Sequence, residues 1–367
     1  MSTIQQTDRL EELYRDMTRN NLSPLWQLEA KIMGLVPSPE TQAWLWRWDE
    51  IYGIAERAGD LVPVDRGGDR RAIALANPGQ HGLPYATSTI WAAVQWLNGR
   101  EIAPAHRHTS QAIRFIIDGA GSYSTVEGDK VFLERGDLVL TPPWTWHDHG
   151  SESDERAIWM DALDIPLNNY LDGSFFEPHP DARQIVDKHL NGSVLKYGVG
   201  QMRPAWEQPT TGYSPLMAYK WADTERALMN LAQVASDPYD DVALEYTNPQ
   251  TGLPVMKTFA CSIQMLRPGA HTSAHRHTGS WVYLAFEGSG ATVIEGVRFD
   301  WSSGDMFVLP SWAAHEHLNA SDDERAILFA VHDTPLMRYV DKYRVEAAPE
   351  AHQKITGSFA GVPADSV

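Results

Sequence analysis

The sequence predicts an all-β protein with helical additions, built from two similar sandwich- or barrel-like units in one chain. Three observations lead there. Ala105-His106-Arg107-His108-Thr109 returns as Ala274-His275-Arg276-His277-Thr278, an offset of 275 − 106 = 169 residues. Around each copy, short β-like runs alternate with Gly, Pro and Asp turns, as in sandwiches and barrels. The length of 367 residues suits about two domains.

The duplication extends well beyond the histidines. Gly119 and Gly121 answer to Gly288 and Gly290 at 169. Gly136-Asp137 and Gly304-Asp305 match at 168, as do Pro142-x-Trp144-x-x-His147-x-His149 and Pro310-x-Trp312-x-x-His315-x-His317. Asp154-Glu155-Arg156-Ala157-Ile158 and Asp323-Glu324-Arg325-Ala326-Ile327 return to 169, so the register slips by a single residue between the histidine pairs and then recovers. Two copies make a two-domain array and not a solenoid.

In chain order, residues 7–19 read as an amphipathic helix, with Leu10, Leu13, Tyr14 and Met17 on one face. Residues 22–34 continue a helical arm with Pro24 at a helix start, and 44–58 read as helical. This region shows no second copy, and its apolar face must pack on a barrel or on another subunit. Residues 61–82, rich in Gly, Pro and Arg, read as a long irregular loop. Residues 87–97 are β-like, with Trp91, Ala93, Gln95 and Leu97 sharing a face. Strands follow at 113–117, 123–126, 131–133, 138–141 and 157–163, with a hairpin turn at 126–129. The connector carries a helix over 223–235, with Asp223 or Thr224 as its cap. The organisation expected is a helical arm over 1–60, a first barrel over 61–167 that carries the chemistry, a connector over 168–255, a second barrel over 256–334 and a tail over 335–367.

Composition narrows the function. Mean hydropathy of −0.36 and the lack of a long uncharged apolar run argue against membrane spans. The first ten residues show no basic region followed by an apolar stretch, so no secretory signal is expected. A single cysteine, Cys261, points to a reducing cytoplasm. Net charge of −18 argues against a nucleic-acid partner and repels small anions at long range, so an acidic substrate needs specific arginines.

His106 and His108 are two apart, which on a strand puts both imidazoles on one face. His147 and His149 repeat the arrangement 41 residues later (147 − 106). Two such pairs can converge on one metal ion inside a small barrel, the alternative being neutral core histidines bonded to carbonyls.

Gly269-x5-His275-x-His277 and Gly304-x5-Pro310-x-Trp312-x2-His315-x3-Asn319 resemble the two motifs of the cupin family, a small double-stranded β-helix, jelly-roll-like barrel. The chain is thus expected to be a bicupin. Cupins commonly carry a glutamate ligand four residues after the second histidine. Here Ala112 and Trp281 stand in those positions, leaving three neutral histidines per barrel. Imidazole suits Fe, Zn, Cu and Ni. Three neutral ligands leave a divalent ion both its charges, which a chelating carboxylate and phenolate of an ortho-hydroxybenzoate would neutralise.

Nearly the whole chain resembles the gentisate 1,2-dioxygenase family, which includes salicylate and 1-hydroxy-2-naphthoate dioxygenases. The carriers are Gly67-Gly68-Asp69-Arg70-Arg71, Leu75-Ala76-Asn77-Pro78-Gly79, Trp91-Ala92-Ala93, Pro104-Ala105-His106-Arg107-His108, Ala112-Ile113-Arg114-Phe115 and Leu163-Asp164-Ile165-Pro166. The resemblance implies Fe(II) on His106, His108 and His147. It implies gentisate held through its carboxylate and 2-hydroxyl, and ring opening with O2 between the carboxyl- and hydroxyl-bearing carbons to give maleylpyruvate. It also implies a homotetramer.

Arg114 lies six residues after His108. On an unbroken strand it shares the pocket face, where it could grip the substrate carboxylate in a forked contact. Arg70 could help from its loop, with Arg71 as competitor. His149 resembles an acid/base or hydroxyl-holding group. Asp161 either orients a histidine or arginine or is a surface carboxylate. Trp91, Ala93 and Gln95 line the pocket or pack in the core. The second barrel repeats the triad in His275, His277 and His315, a possible second metal site. Tyr283 stands there in place of Arg114 (283 − 114 = 169), so the same substrate is not expected. Competing readings are a bicupin decarboxylase using manganese and a non-enzymatic bicupin. The missing glutamates oppose the first, and two complete histidine sets oppose the second.

Overall fold

The structure, a computed structural model, describes residues 3–63, 71–200, 202–209 and 212–361. It divides at Pro39. The first unit holds helices Thr3–Arg19 and Leu25–Ile32, in which the Trp26 indole donates to the Tyr14 hydroxyl at 3.2 Å. The second unit, from Glu40, holds both barrels.

Each barrel is two sheets face to face, antiparallel except where Gly357–Ser358 joins Val297–Ser302 in parallel. In the first, a six-stranded sheet runs in the order Ala218–Tyr219, Leu138–Thr141, Ala112–Asp118, Ala157–Leu163, Trp91–Leu97, Ala72–Ala74. It faces a five-stranded sheet of Phe176–Pro178, Ile102–His108, His147–Ser151, Ser122–Val126 and Asp129–Leu133. The hairpin expected at 126–129 is present, with Glu127 (φ 47°) and Gly128 (φ 77°) both left-handed, as a two-residue turn requires. In the second barrel, Trp44–Trp46, Met306–Leu309, Trp281–Glu287, Ala326–His332, Ala260–Leu266 and Val242–Glu245 make one sheet. Val345–Ala347, His275–His277, His315–Leu318, Ser289–Ile294, Val297–Ser302 and Gly357–Ser358 make the other.

The six-stranded sheet of the first barrel and the sheet of the second that holds Trp281–Glu287 share one core. Phe115 stacks on Phe329 (centroids 4.0 Å apart) and meets Phe286 edge-on at 5.0 Å. Strand Ala112–Asp118 therefore buries both faces: Phe115 and Ile117 toward the other barrel, Ile116 toward its own interior. A strand buried on both sides reads as an apolar run without alternation, as Ile113-x-Phe115-Ile116-Ile117 does.

The N-terminal region does have a second copy, contrary to the sequence reading. Residues 44–58 are not one helix. Strand Trp44–Trp46 precedes helix Trp48–Leu61 and pairs with Met306–Val308 of the second barrel. Its counterpart in the connector, strand Ala218–Tyr219 before helix Trp221–Leu231, pairs with Leu138–Val139 of the first. The segments match at 173 (219 − 46 and 221 − 48). Arg47 pairs with buried Asp305 at 3.0 Å, and Asp305 accepts the Trp48 N–H at 2.8 Å. Lys220 pairs with buried Asp137, which accepts the Trp221 N–H at 2.9 Å. Each arm thus crosses to the barrel of the other half. Gly136 and Gly304 permit this, since a Cβ there would lie 2.6 and 2.3 Å from the Trp221 and Trp48 rings. The connector helix begins two residues before the caps expected at Asp223 or Thr224. Lys220 is its N-cap; an ammonium has no acceptor to offer a helix N–H, and Asp137 accepts the Trp221 N–H in its place.

Candidate metal centre and active-site cavity

A cavity of about 340 Å³ opens between the two sheets of the first barrel. His106 and His108 reach it from strand Ile102–His108, and His147 and His149 from the neighbouring strand His147–Ser151. Strand alternation turns both pairs inward. The launch of the second strand is strained: Trp144 sits at φ 60°, an uncommon conformation for a bulky residue. Its N–H donates to the His108 carbonyl at 2.8 Å, and the Arg107 guanidinium lies over its ring at 4.5 Å. The turn before His147 is therefore tied to the strand that carries His108. Trp312 (φ 68°) repeats this with the His277 carbonyl at 2.7 Å.

The donor atoms of His106, His108 and His147 lie within 4.8 Å of one another. Each ring is oriented by a backbone carbonyl at Nδ1: Pro104 at 2.8 Å, Ser110 at 2.8 Å and Thr145 at 2.9 Å. A carbonyl only accepts, so each Nδ1 carries the proton and each Nε2 keeps its lone pair for a metal. Burial, then the neighbouring His106 and His108, hold the His147 pKa well below the ordinary imidazole value. Its ring is neutral and ready to coordinate. His149 stands outside this triad. Its Nδ1 is 2.7 Å from the Ser124 hydroxyl, which can donate or accept, so the ring can present either a proton or a lone pair at its other nitrogen. Burial, then Arg114, depress its pKa strongly.

Arg114 lines the cavity, but by another route than the sequence reading gave. The chain turns at residues 109–111, so Arg114 lies on the sheet opposite His108 and not on the same strand. Its fork is also engaged. Nε and Nη2 donate to the two oxygens of Asp161 at 2.8 and 3.1 Å, and the guanidinium lies 4.2 Å from the Trp159 ring centroid. Asp161 is buried, orients this arginine, and accepts the Trp159 indole N–H at 3.1 Å. What remains is Arg114 Nη1, buried without a hydrogen-bond partner among the described residues. An orphaned buried donor on a cation is a place for an anion.

Trp91 and Gln95 line the cavity. Ala93 does not: it lies between them on the same strand, fully buried, and its methyl is too short to reach the open space. Arg70 lies outside the described residues. Arg71 turns away, pairing with Glu101 and donating to the Gly59 carbonyl at 2.8 Å. Leu75-Ala76-Asn77-Pro78-Gly79 is structural, with Asn77 accepting from Gly79 and Gln42 and donating to the Gln42 carbonyl. Sequence reasoning missed Ser124, Trp159 and Phe176, whose ring lies 5.3 Å from His106. The duplication carried a signal for Ser124, since Thr292 stands at 168 and bonds His317 Nδ1 at 2.9 Å.

In the second barrel His275, His277 and His315 also converge within 4.8 Å. His315 has its Nδ1 tied to Ala313 at 3.1 Å; the Nδ1 atoms of His275 and His277 are buried and, among the described residues, reach no partner at full hydrogen-bond geometry. Tyr283, Leu328 and Ala330 replace Arg114, Trp159 and Asp161, and aromatic rings fill the space. Tyr283 stacks on Phe307 at 4.8 Å, and Trp281 on His332 at 3.9 Å.

Comparison with known proteins agrees with this geometry. The Cupin domain family matches residues 94–165 and 262–332. A 5-aminosalicylate 1,2-dioxygenase from a Comamonas species is 39% identical, covering 96% of this chain and 95% of its own. A gentisate 1,2-dioxygenase from a Streptomyces species is 40% identical, covering 91% and 95%. A salicylate 1,2-dioxygenase from Pseudoaminobacter salicylatoxidans, solved with gentisate, superposes with a TM-score of 0.87 at 35% identity, over 93% of this chain and 94% of the other. A histidine triad beside an anion-seeking arginine, in one half of a duplicated barrel and matched along nearly the whole chain, leaves one conclusion: the chain belongs to the gentisate, salicylate and hydroxynaphthoate 1,2-dioxygenase family of ring-cleaving bicupin enzymes.

Proposed function

We propose that this enzyme is an Fe(II)-dependent gentisate 1,2-dioxygenase, opening the ring between the carboxyl- and hydroxyl-bearing carbons with O2 to give maleylpyruvate. The observation that carries the reading is the pairing of three carbonyl-oriented imidazoles with the Nη1 of Arg114, unpartnered among the described residues, in one cavity. His106, His108 and His147 would hold the iron. The all-imidazole donor set, with Ala112 where a carboxylate ligand would stand, leaves the ion's charge for a chelating acid to neutralise. Bound iron(II) supplies the redox chemistry that couples oxidation of the ring to reduction of O2.

The chain's own residues do the rest. Arg114 takes one carboxylate oxygen through Nη1, while Asp161 fixes its plane. His149, backed by Ser124, holds or returns the proton of a substrate hydroxyl. Trp91, Gln95 and Phe176 wall the cavity. Tyr283 gives no anion contact in the second barrel, so His275, His277 and His315 form at most an ancillary metal site. We further propose a cytoplasmic homotetramer; no described helix is long and apolar enough to cross a membrane.

The test is oxygen uptake by the iron-loaded protein against gentisate, salicylate, 5-aminosalicylate and 1-hydroxy-2-naphthoate, with ultraviolet detection of maleylpyruvate. Preference for a substrate other than gentisate would displace this reading within the family.

A further inference from the structure

We propose that His271, Glu316 and His352 form a separate divalent-cation site, of the kind that takes zinc, which clips the C-terminal tail to the outside of the second barrel. Their donor atoms lie within 4.8 Å of one another. His271 Nε2 is 3.2 Å from Glu316 Oε1, and the two imidazoles stack with centroids 3.8 Å apart at 27°. Three separate pieces of chain bring them together. His271 precedes the triad strand and bridges to Leu318. Glu316 sits between His315 and His317, so its side chain leaves the opposite face of their strand. The tail delivers His352 through the Ala348 N–H donating to Ala274 and the Ala274 N–H donating to Ala351.

The internal duplication separates ligand from frame. In the first barrel Asp148 accepts the Gln184 N–H at 3.2 Å, and Gln184 donates to the Thr125 carbonyl at 2.9 Å. In the second, Glu316 accepts the Gln353 N–H at 3.0 and 3.2 Å, and Gln353 donates to the Val293 carbonyl at 3.0 Å. The carboxylate and the glutamine make the same contact in both halves, and in the first they do so without imidazoles. Ile102 and Arg183 stand where the second half has His271 and His352 (271 − 102 = 352 − 183 = 169). The imidazoles are an addition made in one half alone.

Glu316 is 1% exposed, a carboxylate with the donor atoms of two imidazoles within 4.8 Å. One divalent ion satisfies both rings and the carboxylate together. Two nitrogens and one oxygen are a zinc-type donor set, and the exposed side leaves a fourth position for water. Bonds of about 2.1 Å bring donors to roughly 3.4 Å apart, a contraction the exposed rings can make by rotation. The net charge of −18 concentrates cations at the surface.

The experiment uses the iron-loaded protein, its His271→Ala and His352→Ala variants, and Zn(II) as probe. Both positions are exposed, so folding is spared. After anaerobic incubation and desalting, zinc and iron per chain are measured together with the rate of tryptic cleavage after exposed Lys354. The parent should retain one more zinc per chain than either variant at equal iron content, and zinc should slow tail cleavage several-fold in the parent alone. Equal zinc in parent and variants, including none in any, overturns the site. Equal cleavage rates with and without zinc overturn the clip.

Discussion

Replacing Arg114 by methionine separates its two duties, holding Asp161 and receiving substrate. The side chains of Arg114 and Asp161 are 10% and 8% exposed, so the pair is buried. Removing the cation leaves Asp161 with only the Trp159 indole, and breaking a buried pair from one side costs about 3–5 kcal/mol of stability. Exchanging the whole pair for apolar groups is often close to neutral, so Arg114→Met with Asp161→Leu should recover most of that loss. Substrate binding should not recover. The Nη1 contact to a carboxylate is a buried charged contact worth about 2–5 kcal/mol, or roughly 30-fold to a few thousand-fold in affinity. The assay is urea unfolding of both variants beside anaerobic titration of the iron-loaded proteins with gentisate. If the double variant is as stable as the parent and binds gentisate as tightly, Arg114 is a packing residue and the proposed carboxylate contact is wrong.

Anaerobic chelation should abolish turnover, and Fe(II) should restore it better than Mn(II) or Zn(II); full activity in rigorously iron-free protein would remove iron from the reaction. His106→Ala or His147→Ala should abolish turnover while His275→Ala keeps a substantial part of it, because the second barrel lacks the arginine. Equal loss in a folded His275→Ala protein that retains first-barrel iron would contradict this. Metal-free protein should lose stability in acid. Burial depresses His147, His149, His275, His277, His315, His317 and His332, with His277, His317 and His332 at about 3. The unfolded chain takes up protons below about pH 6.5 that the folded chain refuses, so each such histidine removes about 1.4 kcal/mol per pH unit there. A urea midpoint flat between pH 7 and pH 5 would show those rings free to protonate in place.

Much of this site is legible in the sequence because the chain states it twice. His106, His108 and His147 stand out by spacing, and the strands that carry them follow from turns at matched offsets. Arg114 was reached through a strand that does not exist as one piece; the cavity lies between two sheets, so residues on opposite walls need no common periodicity. Asp161 stood between two readings, orienting an arginine or lying on the surface, because a buried carboxylate resembles a surface one until its partner across the ladder is known. The crossed arms hid for a different reason. A three-residue strand has no period to detect, and its ladder partner lies more than 250 residues along (306 − 46 = 260).

Those arms bear on how such a chain could arise and how it can be cut. A half-chain comprising one arm and its own barrel would carry the closing strand for a barrel it lacks and lack the strand for the barrel it has. Asp137 or Asp305 would be left without the cation that accompanies it, and Gly136 or Gly304 without its tryptophan. Two such half-chains would satisfy each other by exchanging arms, which is the geometry of a swapped dimer. Joined end to end, that dimer is this molecule. Separately expressed halves should therefore be insoluble alone and associate on mixing, and neither barrel can be dropped as dead weight even if only one ever turns over substrate.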